Sequence, residues 1–128
     1  MAGNRILVVE DNQDNMTLII DVLTSLEYEV FQATDGLLGV QMTEELRPDL
    51  VLMDLSLPKK DGWTATREIK AQTALQKIPI IALTAHTIAG DEDTYIDAGC
   101  DGYIVKPVDK IILYAEIERF IAKPEEEN

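Results

Sequence analysis

The sequence predicts an α/β protein, a doubly wound parallel sheet of five strands with five helices on its two faces. Three observations predict it. Five short apolar runs alternate with five amphipathic segments, the order expected of repeated strand–helix units. The run Leu50-Val51-Leu52-Met53 is apolar without a break, as a strand covered on both faces must be. With 128 residues, 46% of them hydrophobic, the chain is long enough for one domain around a real core.

Each element follows from local pattern. The first strand is Arg5 to Val9, and two acids, Glu10 and Asp11, come directly after it. Met16, Ile19, Ile20, Leu23 and Leu26 then recur at helical spacing, giving a first helix that buries one stripe. The second strand is Glu29 to Ala33. A second helix spans about Gly36 to Glu45, with Gly36 and Gly39 each costing roughly 1 kcal/mol relative to Ala. Arg47-Pro48 stops it, since the residue before a proline is steered out of the helical region. The third strand, Leu50 to Asp54, leads into the turn Leu57-Pro58-Lys59-Lys60-Asp61-Gly62 and a third helix from Trp63 to Gln72. Pro79 marks the start of the fourth strand, Ile80 to Thr84. Between His86 and Ala98, Ile88, Tyr95 and Ile96 stand against Asp91, Glu92, Asp93 and Asp97, which predicts a helix of low local stability. Tyr103 to Val105 is the fifth strand and ends at Lys106. Asp109 caps the last helix, whose Leu113, Ile117, Phe120 and Ile121 face the core. The expected domain covers 1–122, and 123–128 form an acidic solvated tail.

Composition excludes several function classes. A formal charge of −13 and a pI near 4.3 repel phosphate backbones and anionic membranes, so direct nucleic-acid or membrane binding is not expected. A single cysteine, Cys100, cannot form an internal disulfide and reads as a small packing residue in a reducing compartment. No apolar run approaches the roughly 20 residues that span a bilayer, and Met1 to Asn4 lacks signal-peptide features. A cytoplasmic protein is the expectation.

The chemistry lies in charges at strand ends. In a parallel sheet Glu10, Asp11, Asp54 and Lys106 converge on the C-terminal edge, where open α/β sheets bind ligands. At an effective dielectric near 20 and about 5 Å, each pair of ionised carboxylates repels by roughly 3 kcal/mol, and one lysine offsets only part of that. A divalent cation removes the repulsion, and an oxygen-only site with room for a phosphate suits Mg²⁺ better than zinc. Carboxylate, Mg²⁺ and lysine are also what phosphoryl transfer requires, with Asp54 as the nucleophile and the Thr84 hydroxyl within reach of a phosphoryl oxygen. Alone, Asp54 reads as an ordinary strand-end carboxylate; in company with Glu10, Asp11, Thr84 and Lys106 it reads as chemistry.

Val9-Glu10-Asp11-Asn12, Leu52-Met53-Asp54-Leu55-Ser56-Leu57-Pro58, Ala82-Leu83-Thr84-Ala85 and Lys106-Pro107 resemble the receiver domain of two-component response regulators, over about Arg5 to Ala122. Within that family the pattern is similar to stand-alone receivers and to those attached to hybrid kinases, where Thr-Ala-His or similar precedes a run like Gly90-Asp91-Glu92. The resemblance implies a flavodoxin-like strand order 2-1-3-4-5 and a phosphoacceptor signalling protein, not a turnover enzyme. It implies Asp54 as the phosphoacceptor and Mg²⁺ held by Asp11 and Asp54, with Glu10 acting mainly through a coordinated water. The Ser56 backbone carbonyl supplies a further ligand. Lys106 pairs with the phosphoryl group, Thr84 closes on it, Tyr103 is the aromatic that turns with Thr84, and Lys106-Pro107 is cis. The implied partners are a sensor histidine kinase or a histidine phosphotransfer protein upstream and a protein target downstream. Ile88, Tyr95, Ile111 and Tyr114 are candidates for the exposed signalling face.

Rival readings exist. A haloacid-dehalogenase-type phosphatase shares the aspartyl nucleophile, threonine, lysine and Mg²⁺, but Ser56 stands where its leaving-group acid is needed. A flavodoxin-like nucleotide binder needs glycines and hydroxyls after the first strand, where this chain has Glu10-Asp11-Asn12-Gln13-Asp14. His86 and Ser56 are placed to modulate water access to the phosphoryl group. Trp63, the only tryptophan, packs locally and serves as a reporter.

Overall fold

In the computed structural model, which describes residues 4–55, 57, 60–84 and 99–121, five strands form one parallel sheet in the order β2-β1-β3-β4-β5. The strands are β1 (Arg5–Val9), β2 (Glu29–Ala33), β3 (Leu50–Asp54), β4 (Ile80–Thr84) and β5 (Gly102–Val105). Helices α1 (Gln13–Ser25), α2 (Gly36–Leu46), α3 (Gly62–Lys70) and the C-terminal α4 (Lys110–Phe120) connect or follow them. This is the expected architecture and strand order. Four of the five expected helices are among the described residues; the one expected between His86 and Ala98 lies outside them, as does the tail.

Strand alternation sorts the core into two layers. Ile6, Val8, Leu50, Leu52, Ile81, Leu83 and Ile104 point to one face, where α1 and α4 cover them with Met16, Ile19, Leu23, Leu113 and Ile117. Leu7, Val9, Val51, Met53 and Ile80 point to the other, under Val40 of α2 and Ala65 and Ile69 of α3. β3 and β4 are buried at every residue, which is why they read as unbroken apolar runs. Central strands covered on both faces are thus the most legible elements.

Helix starts are set by short acceptors. Asn12, Asp35, Asp61 and Asp109 each accept a hydrogen bond from a first-turn backbone N–H, at 2.8–2.9 Å. Such a cap contributes about 1 kcal/mol. In a parallel sheet all four starts lie at the edge where the strands end, so three of the four caps add carboxylates there.

Boundaries differ from expectation in three elements, of which α2 runs one residue past Glu45, to Leu46. β5 begins one residue early, at Gly102, which pairs with Ile81 in the ladder; a Cβ there would lie 3.2 Å from Glu116 Oε1 and 3.4 Å from Phe120 Cε2 of α4. α3 starts at Gly62 and stops at Lys70, two residues short of Gln72, and a 3₁₀ turn at Thr73–Leu75 follows. The Lys70 ammonium reaches past the helix end to the carbonyls of Gln76 (3.0 Å) and Ile78 (2.8 Å) and to Asp101 Oδ2 (2.8 Å). Asp101 in turn accepts the Ile80 N–H at 2.8 Å, so one clamp fixes the starts of β4 and β5.

Candidate functional site

The ladder carries the reactive residues one step past the strands. Glu10 N–H donates to Ala33 O at 3.0 Å, Leu55 N–H to Leu83 O at 3.1 Å and Lys106 N–H to Thr84 O at 2.7 Å. Backbone pairing therefore fixes Glu10, Asp54, Thr84 and Lys106 along one rim before any side chain acts. The Lys106-Pro107 peptide is cis, as the resemblance implies.

The side chains meet there. Lys106 Nζ lies 2.9 Å from Glu10 Oε1 and donates to Asp54 Oδ2 at 3.1 Å. Glu10 is only 1% exposed and Asp54 3%, whereas Asp11 is exposed. One carboxylate oxygen from each of Glu10, Asp11 and Asp54 lies within 4.8 Å of the others. Glu10 Oε2 accepts the Asn12 N–H at 3.1 Å. Its Oε1 faces the ammonium yet receives no aligned hydrogen bond, leaving a buried acceptor turned toward the cluster.

Burial pushes the Glu10 carboxyl above its usual range; Lys106 opposes that shift, and the neighbouring Asp54 charge adds to it. Burial alone would lower Lys106, but the pairing with Glu10 and the charge of Asp54 outweigh it and hold the ammonium above the ordinary lysine value. The lysine therefore stays charged. Three hard oxygen donors, two of them buried, one solvent-accessible, and one cation too few to balance them fit a divalent metal of the Mg²⁺ class.

The other predicted residues are distributed as follows. Thr84 is buried at the end of β4. Tyr103 is half-buried on β5 and, with Trp63, packs against Leu55, Ala82 and Cys100. Cys100 is buried and its thiol is pushed up to about 11 by desolvation, which the neighbouring Thr66 hydroxyl offsets only in part. On α4, Ile111 is 75% exposed and Tyr114 half-buried. Ser56, His86, Ile88 and Tyr95 lie outside the described residues.

Two contributors escaped the sequence reading. The Asn12 main-chain N–H orients Glu10, and main-chain donors leave no trace in residue identity. Gly62 packs on the backbone of Asp54 and Leu55, where a Cβ would lie 2.2 Å from Asp54 O and 2.7 Å from Leu55 Cα. The Asp61-Gly62 pair signalled only a turn.

Comparison with known proteins agrees with this geometry. The family model described as "Response regulator receiver domain" matches residues 6–118. The chain is similar to the polar-differentiation response regulator DivK of Brucella anthropi, at 40% identity over 103 residues, 80% of this chain and 84% of that protein. It is also similar to the receiver domain of the sensor histidine kinase PA1611 from Pseudomonas aeruginosa PAO1, solved with a magnesium ion coordinated in the active site cleft. That structure is 44% identical with a TM-score of 0.86, covering 93% of this chain and 98% of that chain. The signal receiver domain of a signal transduction histidine kinase from Syntrophus aciditrophicus is 27% identical with a TM-score of 0.85, covering 98% and 95%. The family match leaves the dehalogenase-type phosphatase alternative without support. No helix among the described residues is long and apolar enough to cross a membrane.

Proposed function

Since the chain belongs to the response regulator receiver family, we propose that it accepts a phosphoryl group on Asp54 from a phosphohistidine and signals by protein contact. The phosphohistidine donor is a sensor histidine kinase or a histidine phosphotransfer protein, and the setting is the cytoplasm. The observation that supports this most is the meeting of Asp54, Glu10 and Lys106 in a buried cluster beside the exposed Asp11.

Glu10, Asp11 and Asp54 are the side chains that would hold Mg²⁺, and the family resemblance adds the Ser56 carbonyl, which lies outside the described residues. When bound, the ion supplies positive charge that neutralises the carboxylates and the oxygens of the incoming phosphoryl group. An Asp54 oxygen attacks phosphorus; the P–N bond of the donor breaks and its electron pair stays on the imidazole, which takes up a proton from solvent. The Lys106 ammonium, already hydrogen-bonded to Asp54, follows the transferred charge. The Thr84 hydroxyl closes on a phosphoryl oxygen, and Tyr103, two residues before Val105 on the adjoining strand, responds to that movement. The protein thus assists its own phosphorylation and slow dephosphorylation while the signal leaves through the α4 surface that carries Ile111 and Tyr114. Such two-state couplings amount to about 1–3 kcal/mol.

Incubation with acetyl phosphate and Mg²⁺ tests the reading by intact-mass measurement. One phosphoryl mass is expected, absent in Asp54→Asn and without metal. Unmodified protein under conditions that label another receiver would reject Asp54 as phosphoacceptor.

A further inference from the structure

The turn that leaves Asp54 is held by backbone contacts at both ends. At its far end Gly62 donates its N–H to Leu55 O at 3.2 Å, and a Cβ on Gly62 would overlap the backbone of Asp54 and Leu55. Midway, Lys60 is seated against α2: a Cβ on Gly36 would lie 1.7 Å from Lys60 O and 2.7 Å from Lys60 C. The Lys60 ammonium pairs with Glu68 of α3. Neither glycine has a left-handed backbone, so close approach, not conformational freedom, is what excludes a side chain.

These contacts form a chain of rigid backbone from α2, through Lys60 and Gly62, to the main chain of Asp54. On its other side Asp54 is fixed by pairing with β4. Asp54 is thus held between a strand and the α2–turn–α3 strap. A methyl group at Gly36 would have to displace Lys60 by about 1.3 Å, from 1.7 to 3.0 Å, because the obstacle is backbone and cannot rotate aside.

We propose that Gly36, which touches none of the charged groups, is a positioning residue: through Lys60 and Gly62 it sets where the Asp54 carboxylate sits relative to Glu10 and Asp11, and so sets cation affinity. The inference rests on the reading of the acids as a Mg²⁺ site.

The test is Mg²⁺ titration by calorimetry, with the rate of acetyl phosphate labelling followed as a function of Mg²⁺. Three variants are compared with the unaltered chain. Gly36→Ala is expected to raise the Mg²⁺ dissociation constant about 10-fold, as displaced supporting groups do at metal sites. Its half-saturating Mg²⁺ for labelling rises equally, while the plateau rate at saturating Mg²⁺ stays within about 2-fold. Ile117→Ala, buried on α4 against the opposite face of the sheet, lowers stability yet leaves the dissociation constant unchanged. That contrast separates positioning from general loss of stability. Should Gly36→Ala not fold, Glu68→Gln, which removes the ion partner of Lys60, carries the test with an expected rise of roughly 3-fold. An unaltered chain that binds no Mg²⁺ overturns the reading of the acids. Mg²⁺ binding by the unaltered chain with an unchanged constant in folded Gly36→Ala, or in Glu68→Gln where Gly36→Ala is unfolded, overturns the role given to Gly36 alone.

Discussion

Replacing Lys106 with methionine removes the only cation among the described residues that touches both buried carboxylates, while keeping most of the side-chain volume. At an effective dielectric near 20, separations of 2.9 Å and 3.1 Å correspond to gross attractions of about 6 and about 5 kcal/mol. The Glu10 and Asp54 oxygens, within 4.8 Å, repel by about 3 kcal/mol on the same scale. Most of the attraction is offset by the cost of desolvating the ammonium, and breaking such a pair costs a net of about 3–5 kcal/mol. Urea denaturation at pH 7.5 is expected to show a loss of that size. The sign of the pH dependence follows from Glu10. Its folded carboxyl is raised above the unfolded value even with Lys106 present, so the folded state binds protons more readily than the unfolded one. Removing the ammonium raises it further, and stability must then climb as pH falls through the folded value toward that of the unfolded chain. The deficit of Lys106→Met therefore shrinks at pH 5, and 10 mM Mg²⁺ recovers part of it at pH 7.5. A loss under about 1 kcal/mol, indifferent to pH and Mg²⁺, would mean that the carboxylates are solvated and the cluster is not under electrostatic tension.

Mg²⁺ alone is expected to change Trp63 fluorescence, because the indole packs in the patch with Leu55, the residue after Asp54. Asp11→Asn should weaken that titration about 10-fold, and a silent signal while calorimetry reports binding would uncouple the tryptophan from the site. For Cys100, an acid whose folded pKa of about 11 exceeds the ordinary 9.0, the unfolded thiol ionises first as pH rises. Stability should fall by about 3 kcal/mol between pH 9 and 11 relative to Cys100→Ala, measured by denaturation of both; parallel curves would place the thiol in contact with solvent.

Much of the architecture was legible because burial on both faces writes itself into composition. β3 and β4 are apolar up to their last residues, Asp54 and Thr84, and their bounds follow from the sequence without structure. Gly102 does not read as strand because glycine is disfavoured there, and its pairing with Ile81, beneath the Glu116 and Phe120 side chains, is a tertiary fact. The end of α3 is not legible because the reach of Lys70 to Asp101, which holds the chain beyond it, joins residues 31 apart. The same distinction holds at the site. Glu10, Asp11, Asp54 and Lys106 were visible as charges at strand ends. The pairing of Glu10 with Lys106, and the Asn12 N–H that completes its orientation, arise from backbone placement that side-chain identity does not encode.

The sheet order also works as a ruler. β5 lies beside β4, β4 beside β3 and β3 beside β1, so the Lys106 backbone stands two interstrand steps from Asp54 and three from Glu10. At about 4.8 Å per step those spans are roughly 10 and 14 Å, which only a long, unbranched cation extended along the rim bridges to both acids at once. Length therefore matters at position 106 as much as charge does. Arginine keeps the charge but delivers it as a broad planar fork, so the exchange usually called conservative changes the fit to both acids.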